Sequence, residues 1–189
     1  MSFSSIEPIC YRIDENNLIS WLSDNWLEFA AMNDAGESCA PANILGKPLI
    51  EFIEDDSTAA LYDTIIKHVR KKDRLISFPF RCDAPEIRRF LQFEVVPLPS
   101  GHIEFRSYLK REEHRHAVPL LLPLIDRSNE LLSICSVCNK AKVDDQWHEI
   151  EEAINMLNLG EASKPPALTH GYCQDCFDEV MSLLKTKER

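Results

Sequence analysis

Ile134-Cys135-Ser136-Val137-Cys138-Asn139-Lys140 and His170-Gly171-Tyr172-Cys173-Gln174-Asp175-Cys176-Phe177 are the stretches on which the reading of this chain turns. Each holds a C-x2-C motif. Such a turn aims two thiolates at one point, and two of them supply the four soft ligands of a tetrahedral zinc site. Residues 139–172 lie between the pairs, a spacing that suits a zinc-ribbon or treble-clef-like knuckle. Cys135, Cys138, Cys173 and Cys176 are therefore the expected ligands of a structural Zn2+. Four thiolates would close the site and leave no open position for a substrate. The second pair opens a helix, where amides and the positive helix end stabilise thiolates. His170 is an alternative ligand in place of one cysteine. Two rivals use the same residues. An iron–sulfur cluster also takes four thiolates. A dithiol redox centre needs a thioredoxin-like βαβ context, which is missing here.

The sequence around these motifs predicts a small helical module over residues 133–189. Asn139 to Lys142 is a turn or short hairpin. Asp144 or Asp145 is placed to cap a helix carrying Trp147, Ile150, Ile154 and Leu157 on one face, with Gly160 as its stop. Ser163 to Pro166 is a loop. A last helix starts at the second cysteine pair, with Phe177, Val180, Met181 and Leu184 on one side. Asp178 and Glu179 sit in its first turn and Lys185, Lys187 and Arg189 in its last, as the helix dipole favours.

Upstream, residues 113–132 form a proline-punctuated linker, in which Val118 to Ile125 is broken by Pro119 and Pro123. Residues 8–112 form a mixed α/β domain. Ile9, Tyr11 and Ile13 alternate, Asp14 to Asn17 turn the chain, and Leu18 to Leu22 is a second strand. Asp24 is placed to cap a helix through Trp26, Leu27, Phe29 and Ala30. Ala35 to Asn43 is a loop and Lys47 to Ile53 a short helix. Asp56 or Ser57 caps a longer helix whose Leu61, Ile65 and Val69, with Tyr62 and Ile66 beside them, should lie on a sheet. Ile76, Phe78, Phe80 and Cys82 alternate along a strand, and Pro79 puts it near an edge. Leu91 to Val95 and Ile103 to Phe105, joined by a turn over Pro97 to Gly101, form an antiparallel hairpin.

Composition excludes several functions. A net charge of −10 argues against a protein that grips phosphate backbones, so nucleic acid is not the expected partner. The basic run Lys67 to Arg74 is read as the solvated end of a helix. No apolar run is long enough to span a bilayer, so no membrane association is expected. The N-terminus, Met1 to Pro8, lacks the basic start and apolar core of a secretory signal, which implies a cytoplasmic protein. Seven cysteines without such a signal do not suggest disulfides. Beyond the paired four, Cys10 and Cys82 are read as small buried hydrophobes and Cys39 as a loop thiol. With only five glycines, and no P-loop, dinucleotide, nucleophile-elbow or H-E-x-x-H motif, no enzyme activity is expected. Arg81, Asp83, Arg88 and Arg89 cluster between two strands. They are read as structural ion pairs, against a partner surface or an anion site.

The order strand, strand, short helices, long helix, three strands resembles a PAS domain over residues 8–112. Tyr11-Arg12-Ile13-Asp14-Glu15-Asn16-Asn17-Leu18-Ile19 resembles that family's opening strand pair. Asn43-Ile44-Leu45-Gly46-Lys47-Pro48-Leu49-Ile50-Glu51-Phe52-Ile53 resembles its loop ending in Gly before a short helix, and Phe90 to Leu109 its last two strands. The tail from Ser133 resembles a four-cysteine module attached to PAS and receiver domains of bacterial signalling proteins. Its matching residues are Cys135-Ser136-Val137-Cys138, Trp147 with Glu149 and Glu151, and Leu168 to Cys176. Phe80-Arg81-Cys82-Asp83-Ala84-Pro85 also resembles a stretch of PAS domains carrying this tail.

The resemblance implies an α+β fold: a PAS-like antiparallel sheet with flanking helices, then the zinc module. It implies a non-catalytic sensory, signalling or protein-interaction protein, with an unidentified ligand in the PAS pocket, a protein partner and a homodimer. Flavin-binding members carry a reactive cysteine on the short-helix segment, which here, over Gly46 to Ile53, has none. Haem-binding members place a histidine on the long helix. His68 occupies such a helix but faces solvent on this reading. Two other function classes remain from the residues themselves: a zinc-ribbon transcription or RNA regulator, and a thiol-based redox switch.

Overall fold

The structure is a computed structural model that describes residues 7–32, 36–53, 55–122, 125–160 and 164–185. Ala35, Pro123, Ser163, Lys187, Arg189 and most of the Met1 to Pro8 segment lie outside the described residues. The fold is mixed α+β. Its elements run β1 (Ile9–Ile13), β2 (Ile19–Leu22), α1 (Trp26–Met32), α2 (Pro41–Ile44), a 3-10 turn (Leu49–Phe52), α3 (Asp56–Lys72), β3 (Ile76–Arg81), β4 (Ile87–Pro97) and β5 (Ile103–His114). There follow β6 (Leu131–Cys135), β7 (Ala141–Val143), β8 (Gln146–His148), α4 (Ile150–Met156), β9 (Ala167–Gly171) and α5 (Gln174–Lys185). The chain divides into two compact units, Met1–Pro79 with Phe90–Arg111, and Phe80–Arg89 with Glu112–Arg189. No helix among the described residues is long and apolar enough to cross a membrane.

The first unit carries the five-stranded sheet, ordered β2-β1-β5-β4-β3. β1 is antiparallel to both neighbours, with Tyr11 opposite Leu22 on one side and Phe105 on the other. β3 is an edge strand, as Pro79 requires. Ile13, Ile65, Val69, Val95, Ile103 and Phe105 are the fully buried centre of this unit. Phe105 stacks on Tyr11 at 4.5 Å and on Phe93 at 5.8 Å, with the Tyr62 ring of α3 at 6.1 Å. The Leu61–Ile65–Val69 stripe thus meets the sheet, as its period predicts.

Local details depart from the sequence reading. The cap of α3 is Asp55, whose carboxylate accepts from the Thr58 amide at 2.5 Å, in place of Asp56 or Ser57. The stretch read as a loop up to Asn43 contains α2, started by Pro41 at its first turn. Gly46 follows at φ +80°, where its amide donates to the Ile19 carbonyl. Arg70 is no solvated helix end. It donates to the carbonyls of Gly101 and Asp14, both at 2.7 Å, and pins two turns to α3.

The second unit carries a four-stranded mixed sheet, β8-β7-β6-β9, so it is not the mainly helical module expected. Asp144 and Asp145 do not cap a helix. Both have positive φ, 48° and 63°, and form the two-residue turn of the β7–β8 hairpin. Trp147 therefore lies on strand β8, and α4 begins after Glu149. The chain leaves α4 at Leu157, before Gly160, with Asn158 in the left-handed region. β9 pairs parallel to β6, an element that Ala167 to Gly171 does not announce by alternation. Val118 and Leu120, from the stretch read as linker, are buried with Leu132, Ile134, Ala141, Val143, Ile150 and Ala153 in this unit's core.

Candidate metal centre

β6 ends at Cys135 and β9 at Gly171, and the parallel register sets these two residues opposite each other. The Ser136 amide donates to the Gly171 carbonyl at 2.9 Å. That pairing carries the first C-x2-C turn alongside the approach to Cys173, and α5 then begins at Gln174. All four sulfurs, of Cys135, Cys138, Cys173 and Cys176, lie within 4.8 Å of one another. The Cys138 and Cys173 Sγ atoms are 3.8 Å apart. A tetrahedron with metal–sulfur bonds of about 2.3 Å has edges of about 3.8 Å, so this spacing fits a thiolate-bound metal. All seven cysteines are free thiols. Four cysteines held this close could hold a metal ion.

The backbone is arranged for anionic sulfur. The Cys173 amide donates to Cys135 Sγ at 3.4 Å, and the Cys176 amide to Cys173 Sγ at 3.4 Å. Thiol donation from Cys138 and Cys176 holds the Cys135 thiol well below the usual range, outweighing its burial, and the Cys173 and Cys138 amides add to the effect. The reverse holds at Cys138, which the bond to Cys135 pushes up to about 12. Cys176 is raised for the same reason, by Cys135 and then Cys138. A metal that takes all four as thiolates displaces the protons these sulfurs share. Cys135 is 0% exposed, Cys173 and Cys176 are buried, and Cys138 reaches the surface. Phe80, Trp147 and Tyr172 pack around the sulfurs.

His170 is exposed on β9 and is not among the converging ligands. The Arg81 group is assembled in the second unit. Arg81 is paired with Asp83, and its Nη1 donates to Glu149 at 2.8 Å. Burial alone would lower the Arg81 guanidinium, but these hydrogen bonds outweigh it and raise its pKa. Arg88 Nη2 donates to both Glu151 oxygens, at 2.9 and 3.0 Å, and Arg89 Nε to Glu112 at 3.2 Å. Arg115, from outside the expected cluster, joins Asp83 at 3.3 Å and Glu151 at 2.9 Å. The alternation expected to put Phe80 and Cys82 inward holds through exposed Pro79 and then fails, with Phe80 half-buried and Arg81 buried.

The first unit holds two cavities of about 270 and 430 Å³. Tyr11, Trp26, Cys39, Ile44 and Tyr62 line the smaller, and none of the described residues in its wall is charged. Leu49, Ile53 and Tyr62 border both. Cys39 is therefore a cavity residue, and its carbonyl accepts from Trp26 Nε1 at 3.0 Å. His68 lines neither cavity. Partial burial, then the neighbouring Lys72, Arg74 and Lys71, lowers its pKa. Cys10 is buried and pushed up to about 11, first by burial and then by Glu104. No family model matches the chain, and no curated protein matches it.

Proposed function

We propose that the protein is a non-catalytic sensory or protein-interaction protein, built from a PAS-like domain over residues 8–112 and a C-terminal structural zinc module over residues 133–189. The observation that carries the reading is the convergence of Cys135, Cys138, Cys173 and Cys176 from two distant segments onto one point. Zinc is the metal of choice because four thiolates in a tetrahedron suit it and it needs no redox partner. With every ligand position taken by cysteine, the ion holds structure and performs no chemistry. The order of elements β1 to β5, with the helices between β2 and β3, supports the PAS-like reading of the first domain. Its uncharged, aromatic-walled cavity suits a small neutral ligand. The protein works through a partner and as a homodimer in the cytoplasm.

The test is elemental analysis of the purified protein with an absorption spectrum of the same sample. Zinc near one equivalent per chain and no visible band is the expected result. Iron or a visible chromophore overturns the zinc reading and makes the protein a redox, gas or light sensor. Light scattering on the eluting protein tests the dimer, which a monodisperse monomer at micromolar concentration overturns.

A further inference from the structure

The second unit takes one piece, Phe80–Arg89, from the middle of the chain. That piece reaches the cysteine cluster at two points. The Phe80 ring packs against the buried set formed by Cys135, Val137, Cys173 and Cys176. The Arg81 amide donates to the Val137 carbonyl at 2.8 Å, inside the first C-x2-C turn. The Val137 carbonyl belongs to the peptide that leads into Cys138, so this bond fixes the backbone between the first two cysteines. Arg81 thus holds, through its own backbone amide and from outside the ligand set, the peptide between Cys135 and Cys138. Its own place is set by its bonds to Asp83 and Glu149, and the turn is closed by the Cys82 amide on the Arg89 carbonyl at 3.1 Å.

We propose that Phe80 and Arg81 are positioning residues for the bound metal, so that the affinity of the four cysteines depends on Phe80–Arg89 and metal loading in turn orders that segment. The inference rests on the reading of the cysteines as a metal site. Reciprocity is required by linkage: whatever factor metal contributes to ordering the segment, an ordered segment returns in affinity. Groups outside the ligand set that orient metal ligands are typically worth 10- to 100-fold in affinity.

The experiment uses the full chain loaded with Zn2+ and titrated with a chromophoric chelator well below the unfolding temperature. Phe80→Ala and Arg81→Ala are expected to weaken Zn2+ binding by about 10- to 100-fold. Phe80→Leu, which refills the volume, should recover most of the loss, and the exposed Lys67→Ala should change nothing. Hydrogen exchange on the unmutated protein gives a second readout that does not depend on any variant folding. Withdrawing Zn2+ should raise exchange at the Arg81 and Cys82 amides together with those of the cysteine turns. Unchanged affinity in both alanine variants, or protection of residues 80–89 that ignores Zn2+ while the cysteine turns respond, overturns the inference alone. A wild-type chain that binds no Zn2+ overturns the metal reading and the inference with it.

Discussion

Replacing Cys135 with serine should cost far more metal affinity than replacing Cys138, although both are thiols of the same proposed site. Metal binding by four-thiolate peptides is worth about 10–16 kcal/mol, so one ligand in four carries roughly 2.5–4 kcal/mol, or about two to three decades. Cys138 sits at the surface, and water can satisfy a serine hydroxyl there, so Cys138→Ser should lose little beyond that share. Cys135 is 0% exposed and accepts the Cys173 amide at 3.4 Å. A serine oxygen on a shorter bond falls short of that donor and leaves it unmet, which costs about 1–3 kcal/mol more, roughly one to two further decades. The assay is chelator competition, read in parallel by fluorescence of Trp147, which packs on the cysteine cluster. Trp21 and Trp26 belong to the first unit and can be changed to Phe to isolate that signal. Equal losses for the two variants would refute the burial argument, and wild-type affinity in both would refute the ligand assignment.

Glu104 gives a pH signature in the first unit. Burial alone would raise its carboxyl, but hydrogen bonds from Arg12 and Arg106 outweigh it and hold the pKa below the ordinary 4.5. The carboxylate therefore contributes stability in full above pH 4.5, and that contribution is lost as pH falls through the lowered folded value. Glu104→Gln should flatten acid denaturation in that window, and an unchanged acid limb counts against the pairing. Phe105→Ala should destabilise the first unit by about 3–5 kcal/mol, seen as a lower denaturant midpoint, because a fully buried ring stacked on Tyr11 leaves a cavity. Asp55→Ala should cost about 0.5–2 kcal/mol through the lost cap of α3, whereas Asp56→Ala should cost much less.

The parts of this protein legible in its sequence are those set by chemistry over short spans. Two C-x2-C turns name their four ligands without any knowledge of the fold, because three-residue spacing alone brings two sulfurs together. The α3 stripe and the alternation of β1, β4 and β5 are likewise local periodicities imposed by one buried face. What the sequence misassigned came from turns and pairings whose energy lies elsewhere. Asp144-Asp145 has the composition of a helix cap, and only pairing of β7 with β8 selects the double left-handed turn that moves Trp147 onto a strand beside the sulfurs. β9 acquires its structure from β6, across a separation of more than 30 residues that no local pattern encodes. Arg81 stands where alternation places an outward side chain. It is buried because the Asp83 and Glu149 carboxylates, the second far along the chain, together offset the cost of removing a guanidinium from water. The sequence by itself determined which four cysteines could hold a metal ion and which faces are apolar. Tertiary structure alone decided that the cysteine turns are completed by Phe80–Arg89, since a backbone hydrogen bond from a strand to a distant turn depends on position and leaves no mark in side-chain identity.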